Sequence, residues 1–353
     1  RRRGDTRARG AKQTPAAWRF DVISDILLRL ALNRMSVLRP YEKQSIEEII
    51  DSEAFFRALT PALLTSILGR TIRAMDTSAD ELLRLAARDA EFLRSRECHV
   101  LSIRDHRYPA ALREIFDPPY LLYVRGELPA GDLPMVAVVG TRQPSASAML
   151  AAHDLGKGLA SSGVAVVSGL ARGIDAAAHQ GAIEGGVTGA VLASGVDLIT
   201  PSSNKPLAAA ILSHGGFLLS EYAPGVPPLK YHFPARNRII SGLARGVVVI
   251  QAPAKSGALI TADYALDQGR DLFVHRDGLD TPAGAGTADL AADGALIVSC
   301  ASDVLGEWGL VAATATDRSG TPDRSSVTVR SNGDAARARA DAVRRSLYGE
   351  VAT

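Results

Sequence analysis

The densest chemistry in the chain lies in Lys230-Tyr231-His232-Phe233-Pro234-Ala235-Arg236-Asn237-Arg238. Lys and Arg side chains neutralise backbone phosphates, and an aromatic ring among them offers a face to an unstacked base. That combination suits single-stranded nucleic acid. Lys230 reads as a phosphate partner. Phe233 either stacks on a base or fills the core, and Asn237 either bonds a base edge or caps a helix. Pro224, Pro227 and Pro228 stiffen the approach to this segment, since each fixes its backbone φ. Arg236-Asn237-Arg238 is expected to open a helix over Ile239–Leu243.

Three more loops favour anions. Gly140-Thr141-Arg142 follows an apolar strand and precedes Pro144-Ser145. Gly140 permits close backbone approach, Thr141 brings a hydroxyl, and Arg142 brings a planar fork of donors. The amides of the helix that follows add positive character. The loop is neither G-x-G-x-x-G nor a Walker motif, and by spacing alone Arg142 could equally pair with a carboxylate. Ser168-Gly169-Leu170-Ala171-Arg172-Gly173 also links a strand to a helix. Gly169 and Gly173 bracket Arg172 in a nest suited to phosphate, or serve tight strand–helix packing. Asp175 holds Arg172 or meets a ribose hydroxyl, and His179 reads as a packed or solvated histidine rather than a base. Finally, Ser256, Gly257 and Thr261 follow Lys255 at a helix start, where they bind phosphate or, in the case of Ser256, cap the helix.

No catalytic constellation accompanies these loops. The sequence has no G-x-S-x-G, no H-E-x-x-H and no metal-spaced cluster, so binding is favoured over catalysis. Cys98 and Cys300 make no disulfide framework, which fits a reducing, cytoplasmic setting. No apolar run is long enough to span a bilayer, so no membrane insertion is expected. The net charge of +2 hides an asymmetry, because residues 1–20 carry seven basic side chains and one acidic one. An anion site in the body must therefore be a local patch.

The elements that position these loops fall into two regions. Residues 20–97 carry apolar side chains at helical spacing, with a capping signal at Asp76-Thr77-Ser78, and read as a helical domain. Residues 98–309 alternate short β-branched runs with Ala-rich helical segments. The runs are Met135–Val139, Val164–Val167, Val187–Leu192, Phe217–Leu219, Val247–Ile250, Leu272–Val274 and Ala295–Val298. Apolar strands separated by helices predict an α/β, Rossmann-like domain with a mostly parallel, doubly wound sheet. Such a sheet places its ligand beyond the carboxyl ends of its strands. Residues 1–19 read as a basic disordered tail. Residues 310–353 read as a low-complexity tail, too polar for a winged helix, with a weak amphipathic pattern around Ala335–Leu347.

Taken together, V-G-T-R (139–142), S-G-L-A-R-G-I-D-A-A-A-H (168–179), L-S-E-Y-A-P-G (219–225), F-P-A-R-N-R-I-I-S-G-L (233–243) and S-G-A-L-I-T-A (256–262) resemble the DNA-processing protein A (DprA/Smf) family. The likeness is strong over residues 100–305. It implies an extended Rossmann fold behind a sterile-alpha-motif-like helical domain. It also implies a homodimer that binds and protects single-stranded DNA and loads RecA in natural transformation, with no cofactor. Carried onto this chain, it implies DNA contact by Gly140, Thr141, Arg142, Gly169, Arg172, Gly173, Lys230, Phe233, Arg236, Asn237, Arg238, Ser256, Gly257 and Thr261. The chain departs from the family at Gln251, where a glutamate is common, at Thr200, where a tyrosine is common, and at His275-Arg276-Asp277, in place of a proline-containing turn. Two other readings compete. One is a nucleotide-binding phosphoribohydrolase-like Rossmann enzyme, although residues 254–261 lack the glutamate such an enzyme would use on a glycosidic bond. The other is an interaction scaffold with no affinity for DNA.

Overall fold

The structure is a computed structural model that describes residues 20–129 and 133–310. The basic start, the tail from residue 311 and the pattern around Ala335–Leu347 lie outside the described residues. The described chain begins with helices α1 (Phe20–Asn33), α2 (Pro40–Glu47), α3 (Glu53–Arg57), α4 (Pro61–Leu68) and α5 (Ala79–Ser95). Then follow β1 (Cys98–Ser102), α6 (Ala110–Arg113), β2 (Leu121–Gly126), β3 (Met135–Val139), α7 (Ala146–Ser161), β4 (Ala165–Ser168) and α8 (Ile174–Gly185). The next elements are β5 (Thr188–Val191), α9 (Lys205–Ser213), β6 (Phe217–Ser220), α10 (His232–Leu243), β7 (Gly246–Val249) and α11 (Gly257–Asp267). Last come β8 (Asp271–His275), α12 (Ala285–Ala292), β9 (Leu296–Val298) and α13 (Ala301–Glu307). Among the described residues, no helix is long and apolar enough to cross a membrane.

Two compact units result. One holds the described residues up to Val37 together with Ile46–Ala90; the other holds Leu38–Ser45 and everything from Glu91 onward. In the helical unit Leu30, Ile46, Phe56, Leu64, Leu82 and Ala86 are buried. Helices α3, α4 and α5 start on side-chain caps, the last of them within the expected Asp76-Thr77-Ser78 signal. Ser52 Oγ accepts from the Phe55 amide and Thr60 Oγ1 from the Leu63 amide, and Ser78 Oγ accepts from the Glu81 amide, each satisfying a donor the helix leaves open. Arg34 grips the Asp89 carboxylate with two bonds of 2.6 Å.

The second unit is built on a nine-stranded sheet in the order β1-β2-β6-β5-β4-β3-β7-β8-β9. The strands from β6 to β9 are mutually parallel, and β1 and β2 run antiparallel at one edge. All seven parallel strands fall on the expected runs. β1 and β2 were not anticipated, because their residues lack the strand–helix alternation that marked the others. Along β3 the side chains separate with period two. Val136 and Val138 join a core with Ala148, Ala152, Ala178, Val304 and Trp308 from α7, α8 and the α13 region, while Ala137 and Val139 join a core with Ile239, Ile240, Ala262 and Leu266 from α10 and α11. Both faces of the sheet are therefore covered, which is why its strands read as unbroken apolar runs.

Helix α7 lies against α8 through small residues. A β-carbon at Gly156 would strike the Ala178 carbonyl, and one at Gly181 would strike the His153 carbonyl. On α8, His179 is fully buried. Its Nδ1 lies 2.7 Å from Thr188 Oγ1, whose hydroxyl donates to the Val166 carbonyl. The imidazole must then donate from Nδ1, which leaves Nε2 without a hydrogen, and Nε2 has no hydrogen-bond partner. This is a neutral, packed histidine. Burial, reinforced by the charge of Arg236, pushes its pKa down from 6.5 to about 3. A group depressed on folding gives stability that is present above its unfolded pKa and lost as pH falls toward the folded one. Stability should therefore fall between pH 6.5 and about 3, with His179 contributing a slope of up to about 1.4 kcal/mol per pH unit. In denaturant titrations across this range, His179→Gln should show a shallower decline than the parent; an unchanged slope would contradict the assignment.

Candidate nucleic-acid interface

Strand order reverses at β3. From it the chain moves out through β4, β5 and β6, then crosses back to β7 on the opposite side. Loops leaving β3 and β7 separate there, at the position where open α/β sheets hold ligands. Here the two loops are tied to each other by Gln251, which is buried. Its carbonyl accepts from the Thr141 amide at 2.7 Å, its side-chain oxygen accepts from the Ser145 amide at 2.8 Å, and its amide nitrogen donates to Thr281 Oγ1 at 2.8 Å. Ser145 Oγ caps α7 by accepting from the Ala148 amide. The Thr141 hydroxyl accepts from the Gln143 amide within its own loop. Arg142, left exposed at the tip, holds its guanidinium 5.6 Å from the centre of the Phe233 ring, within the range of a cation–π contact.

Helix α10 brings Phe233 to that place. It starts at His232, ahead of the expected opening at Arg236. Pro234 is tolerated because it falls in the first turn, where the missing amide costs nothing. Within this helix Arg236 and Arg238 are buried on different sides, and Asn237 between them is half-buried. Arg236 is buried, and one terminal nitrogen donates to the carbonyls of Gly169, at 2.9 Å, and Val191. Burial pulls its pKa down to about 10; Asp175 opposes that, and Arg142 adds to it. Arg238 is also buried and gives paired bonds of 2.8 and 2.7 Å to the Glu221 carboxylate, with a third to the Asp117 carbonyl. Burial works against its charge, but the Glu221 and Asp117 carboxylates more than compensate and hold it above the ordinary arginine value. Asn237 donates to the Gly257 carbonyl at 3.1 Å. Arg236 and Arg238 therefore brace the loops from within, and Asn237 ties α10 to the start of α11 from the surface; this corrects the expectation that Arg236 and Arg238 meet phosphate directly.

The loop after β4 departs from expectation in the same sense. Asp175 is buried and accepts from the amides of Gly169 at 3.1 Å and Ala171 at 3.3 Å, so it holds neither Arg172 nor a ribose. Those amides are spent on it and form no open nest. Burial lifts its carboxyl above the usual value, while Arg236 and the two amides pull the other way. Gly169 has no room for a side chain, because a β-carbon there would meet the Arg236 guanidinium. Gly173, at φ +77°, lets this loop press against the Thr141 carbonyl and Pro144. Arg172 is exposed, with Nε 3.4 Å from Ser203 Oγ.

The Ser256 loop lies elsewhere in electrostatic terms. Ser256 Oγ caps α11 by accepting from the Ala258 amide, and Thr261 is buried, so Thr261 reaches no ligand. The cleft beside Ser256 and Gly257 is lined by Lys255 but also by Asp263, Asp289 and Asp293, a balance that disfavours phosphate.

Of the expected cationic and aromatic side chains, Arg142, Arg172 and Lys230 are exposed and Phe233 is half-buried. Sequence reasoning missed three supports. Gln251 stands out in the sequence only as a departure from the family pattern. Asn204, whose amide donates to the Leu170 and Ala171 carbonyls, sits in a polar turn with no motif. Tyr222, stacked on His232 at 3.9 Å, sits within L-S-E-Y-A-P-G (219–225), where its residue type alone signals no role.

Residues 99–309 match the family described as DNA recombination-mediator protein A. The chain belongs to that family. Among recombination-mediator A relatives, the DNA processing protein DprA of Streptococcus pneumoniae is 44% identical over 208 residues, covering 59% of this chain and 73% of that protein. Protein Smf of Escherichia coli is 42% identical over 208 residues, covering 59% of this chain and 56% of its own length. The X-ray structure of the S. pneumoniae protein matches with a TM-score of 0.64 and 35% identity, over 80% of this chain and 97% of that one. DNA processing protein A of Helicobacter pylori, whose structure is described as giving its single-stranded DNA binding mode, matches with a TM-score of 0.52 and 28% identity, over 60% of this chain and 95% of that one.

The buried guanidinium gives the sharpest test of this geometry. Arg236→Lys keeps the charge but loses the planar donors that reach two carbonyls. It is expected to lower unfolding free energy by about 1–3 kcal/mol, measured by denaturant titration; unchanged stability would show that the contact is dispensable.

Proposed function

We propose that this member of the recombination-mediator A family binds single-stranded DNA along the carboxyl edge of its sheet. Arg142 and Lys230 neutralise phosphates there, and Phe233 stacks on a base. The observation that carries this is the meeting of Arg142 with Phe233 at 5.6 Å over the topological switch point. The exposed Arg142 is also one of the charges that lower the pKa of the buried Arg236. Asp175 offsets part of that crowding of like charge, and a bound anion would relieve more of it. Cation plus aromatic face, without a base-reading groove, gives binding that tolerates sequence.

Family membership supports the finer reading as well. The chain acts as a binding protein rather than an enzyme, in the cytoplasm and without a cofactor. It works as a homodimer that protects incoming single strands and loads RecA on them during natural transformation. Gly140, Thr141, Gly169, Gly173, Arg236, Asn237 and Arg238 shape and hold the site, and Arg172 extends its positive edge.

In fluorescence anisotropy with labelled oligonucleotides across a salt series, the wild type should prefer single strands to duplex. Arg142→Ala and Lys230→Ala should each weaken binding and reduce the slope of log K against log salt by about 0.7. Arg236→Lys should leave the slope unchanged, since it removes no phosphate contact. Wild-type slopes in both alanine variants would contradict the reading.

A further inference from the structure

Tyr231 takes no part in the Arg142–Phe233 contact. It is 66% exposed, with Leu229 at 40% on the other side of Lys230. An exposed ring of this size on a charged loop needs an explanation, because a flexible tyrosine would bury part of its apolar face. This ring is held instead. It packs edge-on against His232, with centroids 4.6 Å apart and planes at 84°. His232 is itself buried, stacked on Tyr222 at 3.9 Å and 21°, with Nδ1 3.2 Å from the Ala193 carbonyl. Three rings thus form a column rooted beneath the sheet edge, and its outermost member stands in solvent.

Charge at this point fits one kind of occupant. Lys230 precedes the ring, and Phe233, which follows it in the chain, has the Arg142 guanidinium 5.6 Å from its centre. An aromatic face held out among cations suits a nucleobase whose phosphates those cations neutralise. We propose that Tyr231 is a second stacking platform for the bound single strand, so that Lys230 meets the backbone between a base on Tyr231 and a base on Phe233. The inference rests on the reading of this edge as the single-strand site, and it adds that the strand continues past Phe233 onto the prolyl loop.

The test uses the full chain and two labelled oligonucleotides of equal length, one oligo-dT and one with abasic sites throughout, which keeps the phosphates and removes the bases. Tyr231→Ala should bind oligo-dT about 5- to 100-fold more weakly than wild type, with the same salt slope, and should match wild type on the abasic strand. Tyr231→Trp should keep oligo-dT affinity and show added tryptophan fluorescence quenched by oligo-dT but not by the abasic strand. Wild-type affinity of Tyr231→Ala for oligo-dT, an equal loss on both strands, or no base-dependent quenching in the tryptophan variant would overturn the proposal. If the wild type bound no single strand at all, the reading of the edge itself would fall, and the proposal with it.

Discussion

The site depends on a guanidinium that no ligand can reach. Arg236, buried on α10, ties the helix to the carbonyls at the carboxyl ends of β4 and β5. A charge in such a place is costly unless it is fully engaged, and the engagement here is partial, because Nε has no hydrogen-bond partner. Gly169 makes room for it, and Asp175 lies close enough to oppose the loss of its charge. The same Asp175 gathers the loop amides of Gly169 and Ala171. One buried cation and one buried carboxylate therefore fix the loop after β4 and the start of α10 against each other. Phe233, one turn before Arg236, is placed by that anchor.

Around this anchor the chain divides its cations by burial. Arg236 and Arg238 are consumed by internal acceptors, whereas Arg142, Arg172 and Lys230 are exposed. The buried set holds the loops in place, and the exposed set leaves its charge to solvent and counterions. Gln251 plays the corresponding part on the other side of the switch point, joining the loops after β3 and β7 through neutral hydrogen bonds. A glutamate there would lack the amide that donates to Thr281.

Much of the fold was legible because a parallel sheet covered on both faces writes itself as short β-branched runs between Ala-rich helices. The edge strands β1 and β2 escaped because they pair antiparallel and carry no such rhythm. The site was legible as a set of segments, not as a set of contacts. Residue type marks Arg236, Arg238 and Thr261 as ligand-binding, and only the start of α10 at His232 and the depth of α11 show that they face inward. The side chains of Asn204 and Gln251 act on backbone atoms brought close by the fold, at Leu170, 34 residues away, and at Ser145, 106 residues away, which no local pattern records.

The central claim is that a single strand lies on the carboxyl edge at the switch point. Photo-crosslinking with oligonucleotides carrying 5-iodouracil, followed by mass spectrometry of the digested protein, tests it most directly. The account predicts crosslinked peptides containing residues 139–145 and 229–237, lost when unlabelled oligo-dT competes. Crosslinks confined to the helical unit or to the loop after β7 near Asp289 would place the strand elsewhere and contradict it.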